Sequence, residues 1–239
     1  MPNDQEIYEA TVAACKEFVP KLKVISKDDS WMHKAIGKIL KVFGNPDYME
    51  RYYTTIGYTV AYPGKDKPGW RTLWHEAGHG VQAKKLTRLF FGALYLLGTP
   101  VYLLPALLFS WPFFVWLPWW SGLIFIAACA LLSFPPFGFF RAHWEFQMYN
   151  LSTAVRHWNG MHINDSYLDN RAKEFTKSFY FWMCPFPKHV DKRLQQGLAD
   201  AKSGALFKER TYGSYYKAVY LTMKKLELVK NTPDVEPKS

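Results

Sequence analysis

Apolar positions recur along this chain in three distinguishable patterns. A helical spacing runs through residues 6–22 (EIYEATVAACKEFVPKL) and again through 30–43 (SWMHKAIGKILKVF). In the second of these, Trp31, Ile36, Ile39, Leu40 and Phe43 recur at three- and four-residue steps, which predicts an amphipathic helix capped by Asp29 or Ser30 and stopped at Gly44. The second pattern is a cluster of aromatic and β-branched residues at 52–63 (YYTTIGYTVAYP), ended by Pro63 and Gly64, which predicts a strand. The third is uniform apolarity. From Leu89 to Phe140 the chain runs 52 residues without a Lys, Arg, Asp, Glu or His. A helix needs about 20 apolar residues to cross a hydrocarbon core of roughly 30 Å, so this run predicts two membrane spans, about 89–111 and 119–134, turning through PFFVWLP at 112–118.

Helical spacing returns at 141–158, 166–182, 189–204 and 214–229, with a stop expected at Pro185 and Pro187 and a frayed end at 231–239. The predicted class is therefore mainly α with a small β element (α+β), interrupted by a hydrophobic helical hairpin. Three segments follow within one catalytic unit: 1–88, the hairpin 89–140, and 141–239. Trp111, Trp116, Trp119 and Trp120 gather at the expected turn, where indoles favour a membrane interface, and Pro100 and Pro105 should kink the first span. Lys84, Lys85 and Arg88 before the run, and Arg141 after it, place both ends on the cytoplasmic side.

Charge and cysteine content narrow the classes. Thirty Lys and Arg against twenty Asp and Glu give +10, which suits an anionic lipid surface or nucleic acid. The basic residues flank apolar segments and mix with acids, and there is no Gly-rich phosphate loop, zinc-finger spacing or RNA-binding aromatic motif, so no nucleic-acid partner is expected. Cys15, Cys129 and Cys184 are odd in number and far apart, which excludes a disulfide framework or thiolate metal site. The polar, acidic N-terminus lacks the pattern of a secretory signal.

Candidate chemistry sits just ahead of the apolar run, in TLWHEAGHGVQ at 72–82. On a helix, positions four apart share a face, so His75 and His79 can bring two imidazoles to one Zn²⁺ per chain. Glu76 stands beside the first ligand, free to take a proton from a water on the metal and return it to a leaving amine. Gly78 keeps the helix slim for close packing. A catalytic zinc takes three protein ligands, and Glu145, just after the apolar run, is the acidic candidate, with His143 as an alternative. Ligation is the favoured reading of Glu145, with Arg141 fixing the carboxylate from outside, over a surface carboxylate merely paired with Arg141 four residues earlier. For stabilising an oxyanion, His143, Tyr149, His157 and His162 are candidates by type. Tyr149 comes first, since it shares a helix face with Glu145. Gln82 could contact substrate or only a neighbouring helix. The 52–63 strand could align an extended peptide.

The order HExxH (75–79), apolar hairpin, then Glu145 on a following helix resembles the gluzincin metallopeptidases. It is most similar to the membrane family of the CAAX prenyl protease and the bacterial heat-shock membrane protease. HEAGH is also similar to the motif of the site-2 and AAA-linked membrane proteases. TTIG, HExxH and Arg-x-x-x-Glu-x-x-x-Tyr (141–149) together resemble uncharacterised metallopeptidases of bacterial and phage genomes. The resemblance covers about residues 50–150 and implies a zincin-like core, zinc on His75, His79 and Glu145, and Glu76 as general base. Two departures stand out. Tyr149 occupies the place where the prenyl-protease family commonly has an acid, and no Asp-Gly pair of the site-2 kind occurs.

The leading expectation is a membrane-anchored zinc metallopeptidase, its active site facing the cytoplasm, acting on a peptide or protein near the lipid. A zinc hydrolase of a non-peptide bond and a non-catalytic membrane adaptor are the alternatives.

Overall fold

The computed structural model describes residues 2–42, 46–64, 67–99, 103–134, 138–177 and 183–237. The expected helix stop at Gly44 and the kink at Pro100 lie outside them. Mainly helices form, with one small sheet, as the pattern predicts.

Helix α1 (Asp4–Phe18) opens on a capping box, in which the Asn3 side chain accepts from the Glu6 N–H and the Glu6 carboxylate accepts from the Asn3 N–H. Strand β1 (Lys23–Ser26), helix α2 (Trp31–Val42) and the single turn α3 (Tyr48–Arg51) follow. The strand expected over 52–63 is instead a hairpin. Gly57, at φ 62°, turns the chain between β2 (Thr54–Ile56) and β3 (Thr59–Tyr62), which pair antiparallel. Strand β1 adds parallel on the far side of β3, so the order β1–β3–β2 leaves β2 at the edge.

Helix α4 (Trp70–Leu86) carries the histidine motif and is enclosed on most sides, with Leu73, Trp74 and Ala77 fully buried. A single residue, Thr87, joins it to α5 (Arg88–Leu96). Thr87 sits at φ 65°, ψ 146°, a conformation that costs a β-branched residue of order 1–3 kcal/mol unless its surroundings hold it.

The apolar run does not form the expected spans. It breaks into α5 of 9 residues, α6 (Leu103–Trp116) of 14 and α7 (Trp119–Leu132) of 14. At 1.5 Å per residue the longer two reach about 21 Å, short of a roughly 30 Å core. No helix among the described residues is long and apolar enough to cross a membrane. The turn also differs, because α6 continues through Pro112 and the chain reverses at Leu117 and Pro118. Pro105 falls in the first turn of α6, where proline is tolerated. Helices α6 and α7 pack on each other through stacked Phe113 and Phe125 rings, 4.6 Å between centroids.

Helix α8 (Phe139–Trp158) returns antiparallel to α4, so that His75 meets Ser152 and Gln82 meets Trp144. Glycine lets them approach: a Cβ on Gly78 would stand 2.0 Å from the Met148 sulfur. Beyond α9 (Asp165–Thr176), Pro187 begins a helix rather than ending one, opening α10 (Pro187–Ser203) at a position that suits its fixed φ. One core joins both halves of the chain, with Cys15, Trp74, Trp158, Tyr216 and Tyr220 meeting between α1, α4, α8 and α11 (Gly213–Lys225). The expected frayed end is also corrected. Asp234 N–H donates to the Lys202 carbonyl (2.8 Å) and the Tyr220 hydroxyl to Glu236 (2.8 Å). Gly204 leaves room for the Val235 carbonyl, which approaches to 2.2 Å of where a Cβ would stand.

Candidate metal centre

Helices α4 and α8 bring three of the expected residues together. His75 Nε2 lies 3.6 Å from Glu145 Oε2, and His79 Nε2 lies 3.6 Å from Glu145 Oε1. These separations are too long for hydrogen bonds, so the three groups face a shared point rather than bonding one another. Ligand atoms about 2.1 Å from a tetrahedral centre stand about 3.4 Å apart, and all three offered atoms here fall within 4.8 Å of one another. His79 and Glu145 are buried and His75 nearly so.

Neighbouring side chains turn both imidazoles. His75 Nδ1 is 2.9 Å from Ser152 Oγ, and Ser152 is seven residues beyond Glu145 on the same face of α8. At His79 the tautomer follows from a chain of donors. The Trp144 carbonyl can only accept, so it takes the Gln82 amide N–H (3.1 Å) and leaves Gln82 Oε1 for His79 Nδ1 (2.8 Å). That nitrogen therefore carries the proton, and Nε2 presents its lone pair. Gln82 also donates to Gln147 (3.1 Å), tying the arrangement to α8 again.

The three groups shift one another's protonation. Burial pushes Glu145 up, but His79, His75 and the Tyr95 hydroxyl outweigh it and hold the carboxyl down at about 2. Burial pushes His75 down, and Glu145 and Glu76 reverse this, leaving it above the ordinary histidine value. The Glu76 carboxylate is held by the sheet edge, where the Thr55 hydroxyl of β2 lies 2.7 Å from its Oε2 and 3.0 Å from the Glu76 backbone carbonyl. The chain entering β2 is pinned by buried Lys27, which donates to the carbonyls of Tyr48 (2.7 Å) and Tyr52 (2.6 Å). Burial lowers Lys27 to about 7, against the pull of Glu76.

Tyr149 lies on the same face of α8 as Glu145, its ring edge-on to His75 at 5.0 Å. Its hydroxyl donates to Glu174 of α9, which Arg171 also holds at 2.8 Å. His143 does not join the cluster: it lies on another side of α8, 3.2 Å from Gln147, in a cavity of about 360 Å³ shared with Arg193 and Asp200. His157 stands in the last turn of α8, about 18 Å along its axis from Glu145, and His162 lies past the helix end, its carbonyl accepting from Arg156 (3.2 Å). Glu145 is no surface carboxylate, being 5% exposed, and Arg141 instead stacks over the Tyr95 ring at 5.4 Å.

Three contributors were not singled out from the sequence. Ser152 had a signal, the seven-residue step from Glu145. Tyr95 donates its hydroxyl to Glu145 Oε1 from within the apolar run, where nothing marks it apart from the other aromatics. Glu174 carried no signal. No known protein family matches the chain, nor does any curated protein or solved structure.

Proposed function

We propose that the protein is a membrane-associated zinc-dependent metallopeptidase of gluzincin-like type, with one Zn²⁺ held by His75, His79 and Glu145. The observation that carries this reading is the convergence of two imidazole nitrogens on one buried carboxylate at 3.6 Å, each ring held from behind. Two imidazoles and one carboxylate are a donor set that suits zinc and leaves a fourth position for solvent. Bound zinc would supply Lewis-acid polarisation of a carbonyl and acidify a water toward neutral pH.

The chain's own residues do the rest. Glu76, adjacent to His75, takes a proton on its carboxylate and returns it to the leaving nitrogen, while Thr55 holds that carboxylate in place from the sheet. Strand β2 has no pairing on its outer edge among the described residues, which supports an extended peptide adding there as a further strand. Tyr149 is the donor assigned to the carbonyl oxygen, a role in which its hydroxyl turns from Glu174 toward substrate. The exposed apolar hairpin and the exposed Lys84, Lys85 and Arg88 at its base support attachment to membrane lipid on the cytoplasmic side.

The test is zinc content by mass spectrometry for wild type beside His79→Ala and Glu145→Ala, followed by peptide hydrolysis by Glu76→Gln. About one zinc per chain, lost in both ligand variants, with Glu76→Gln keeping zinc and losing 10²–10⁴-fold in rate, is the expected result. Wild type without zinc after reconstitution overturns the reading. Cleavage of esters but not peptides moves it to another hydrolase, and a Glu76→Gln chain with full function moves it to an adaptor.

A further inference from the structure

Helix α5 belongs to two parts of the molecule at once. Leu89 and Phe90 stand exposed at 89% and 55%, at the head of the uncharged run, while Phe91 is buried against Trp144 with ring centroids 4.7 Å apart. One turn further, the Tyr95 ring packs edge-on to His79 at 5.7 Å and its hydroxyl donates to Glu145. The same nine-residue helix therefore begins the hairpin and touches two of the three candidate metal ligands. The chain joins it to α4 through the single residue Thr87, at positive φ, and Ala83 of α4 shares its apolar cluster with Phe91 and Trp144.

The hairpin beyond α5 has no polar face. Leu108, Trp116, Trp119 and Ile124 are each more than half exposed, and no charged residue lies between Leu89 and Phe140. A protein partner of ordinary surface chemistry would leave part of such a hairpin wet, whereas a bilayer leaflet surrounds it. At about 21 Å, α6 and α7 enter the hydrocarbon core from one side without spanning it, and the cations at the hairpin's base match an anionic headgroup layer.

We propose that zinc binding at the metal centre and insertion of the hairpin into an anionic phospholipid leaflet are coupled, with Tyr95 as the positioning residue that links them. The inference rests on the zinc reading above. Zinc holds Glu145 where Tyr95 meets it, and lipid holds the hairpin that presents Tyr95. Each therefore stabilises the seating of α5 that the other requires, and the coupling is positive. Linkage makes it reciprocal: zinc must tighten lipid binding by the factor by which lipid tightens zinc binding.

The experiment is flotation of the full-length chain with vesicles of phosphatidylcholine containing a minority of phosphatidylglycerol, with excess zinc and with a chelator. Zinc affinity is measured in parallel, by competition with a chromophoric chelator, with and without vesicles. Partition about fivefold or more stronger with zinc, and zinc affinity raised by a matching factor with vesicles, is the expected result. Tyr95→Phe keeps the ring packing and should bind zinc and vesicles while losing the mutual gain. His79→Ala should show no zinc dependence. Equal partition with and without zinc, while zinc is bound, overturns the proposal, as does an undiminished gain in Tyr95→Phe. Failure to float, with growth in particle size instead, assigns the hairpin to a second copy of the chain and equally overturns it. A wild type that takes up no zinc is a different failure, that of the metal reading itself.

Discussion

The α4–α8 pair and the α6–α7 pair are both antiparallel helices in contact, and they treat polar and apolar groups in opposite ways. Between α4 and α8 every charged group of the motif is enclosed and answered: His75 by Ser152, His79 by Gln82, Glu145 by both imidazoles and Tyr95. Between α6 and α7 there is almost nothing to answer, and large apolar side chains are left on the outside. The first pair derives its specificity from polar groups that fit only one arrangement, because an unmatched buried polar group is costly. The second is held by apolar packing and one long hydrogen bond, from the Ser121 hydroxyl to the Phe113 carbonyl (3.3 Å), and is completed by whatever surrounds it. Within that first pair a buried carboxylate faces two imidazoles at 3.6 Å, the group of side chains on which the zinc proposal rests.

Removing a piece of the first pair should have the largest effect. Glu145→Ala is expected to weaken zinc binding by at least about a hundredfold, beyond what loss of an outer partner causes, as read by competition titration. Gln82→Met removes the acceptor that fixes the His79 tautomer while keeping volume, and a loss of about 10–100-fold in zinc affinity is expected; an unchanged affinity would show that the tautomer needs no holding. Gly78→Ala forces a methyl into the Met148 sulfur and should cost about 1–3 kcal/mol in denaturant unfolding.

A pH titration sharpens the same contrast. The pKa of His75 is raised in the metal-free fold, so its protonated form competes with zinc, and affinity should fall as pH drops through that raised value, by up to about tenfold per pH unit for this proton. Glu145, already down at about 2, stays ionised from about pH 5 to 8 and adds nothing to the slope. The smallest effect belongs to the second pair: Leu108→Ser or Ile124→Ser should shift the stability of the chain by less than about 0.5 kcal/mol, since both side chains are exposed. A large loss there would mean the hairpin is part of the folded core after all.

What was legible in the sequence follows the same division. The shared face of His75 and His79 and the close approach at Gly78 could be read because helical spacing fixes which residues share a face, whereas Glu145 was read from its place just after the apolar run. The hairpin was legible as an apolar insertion but not in its lengths, since uniform apolarity carries no period to mark where α5 ends, and the turn came at Pro118 rather than across 112–118. The 52–63 strand became two because a glycine in a strand pattern reads equally as a bulge or a turn, and only the pairing of Thr54 with Ala61 distinguishes them. Tyr95 and Glu174 reach the site through tertiary contacts that no local pattern encodes.

The placement of the hairpin between His79 and Glu145 also bears on how the chain holds together. An ion shared by those two residues closes a loop of about 66 residues, and a crosslink of that span removes chain entropy from the unfolded ensemble worth about 4 kcal/mol on the simplest polymer estimate. A metal at this position would thus act as a clasp as much as a reagent, fastening the two halves of the sequence across the one segment that contributes least to their common core.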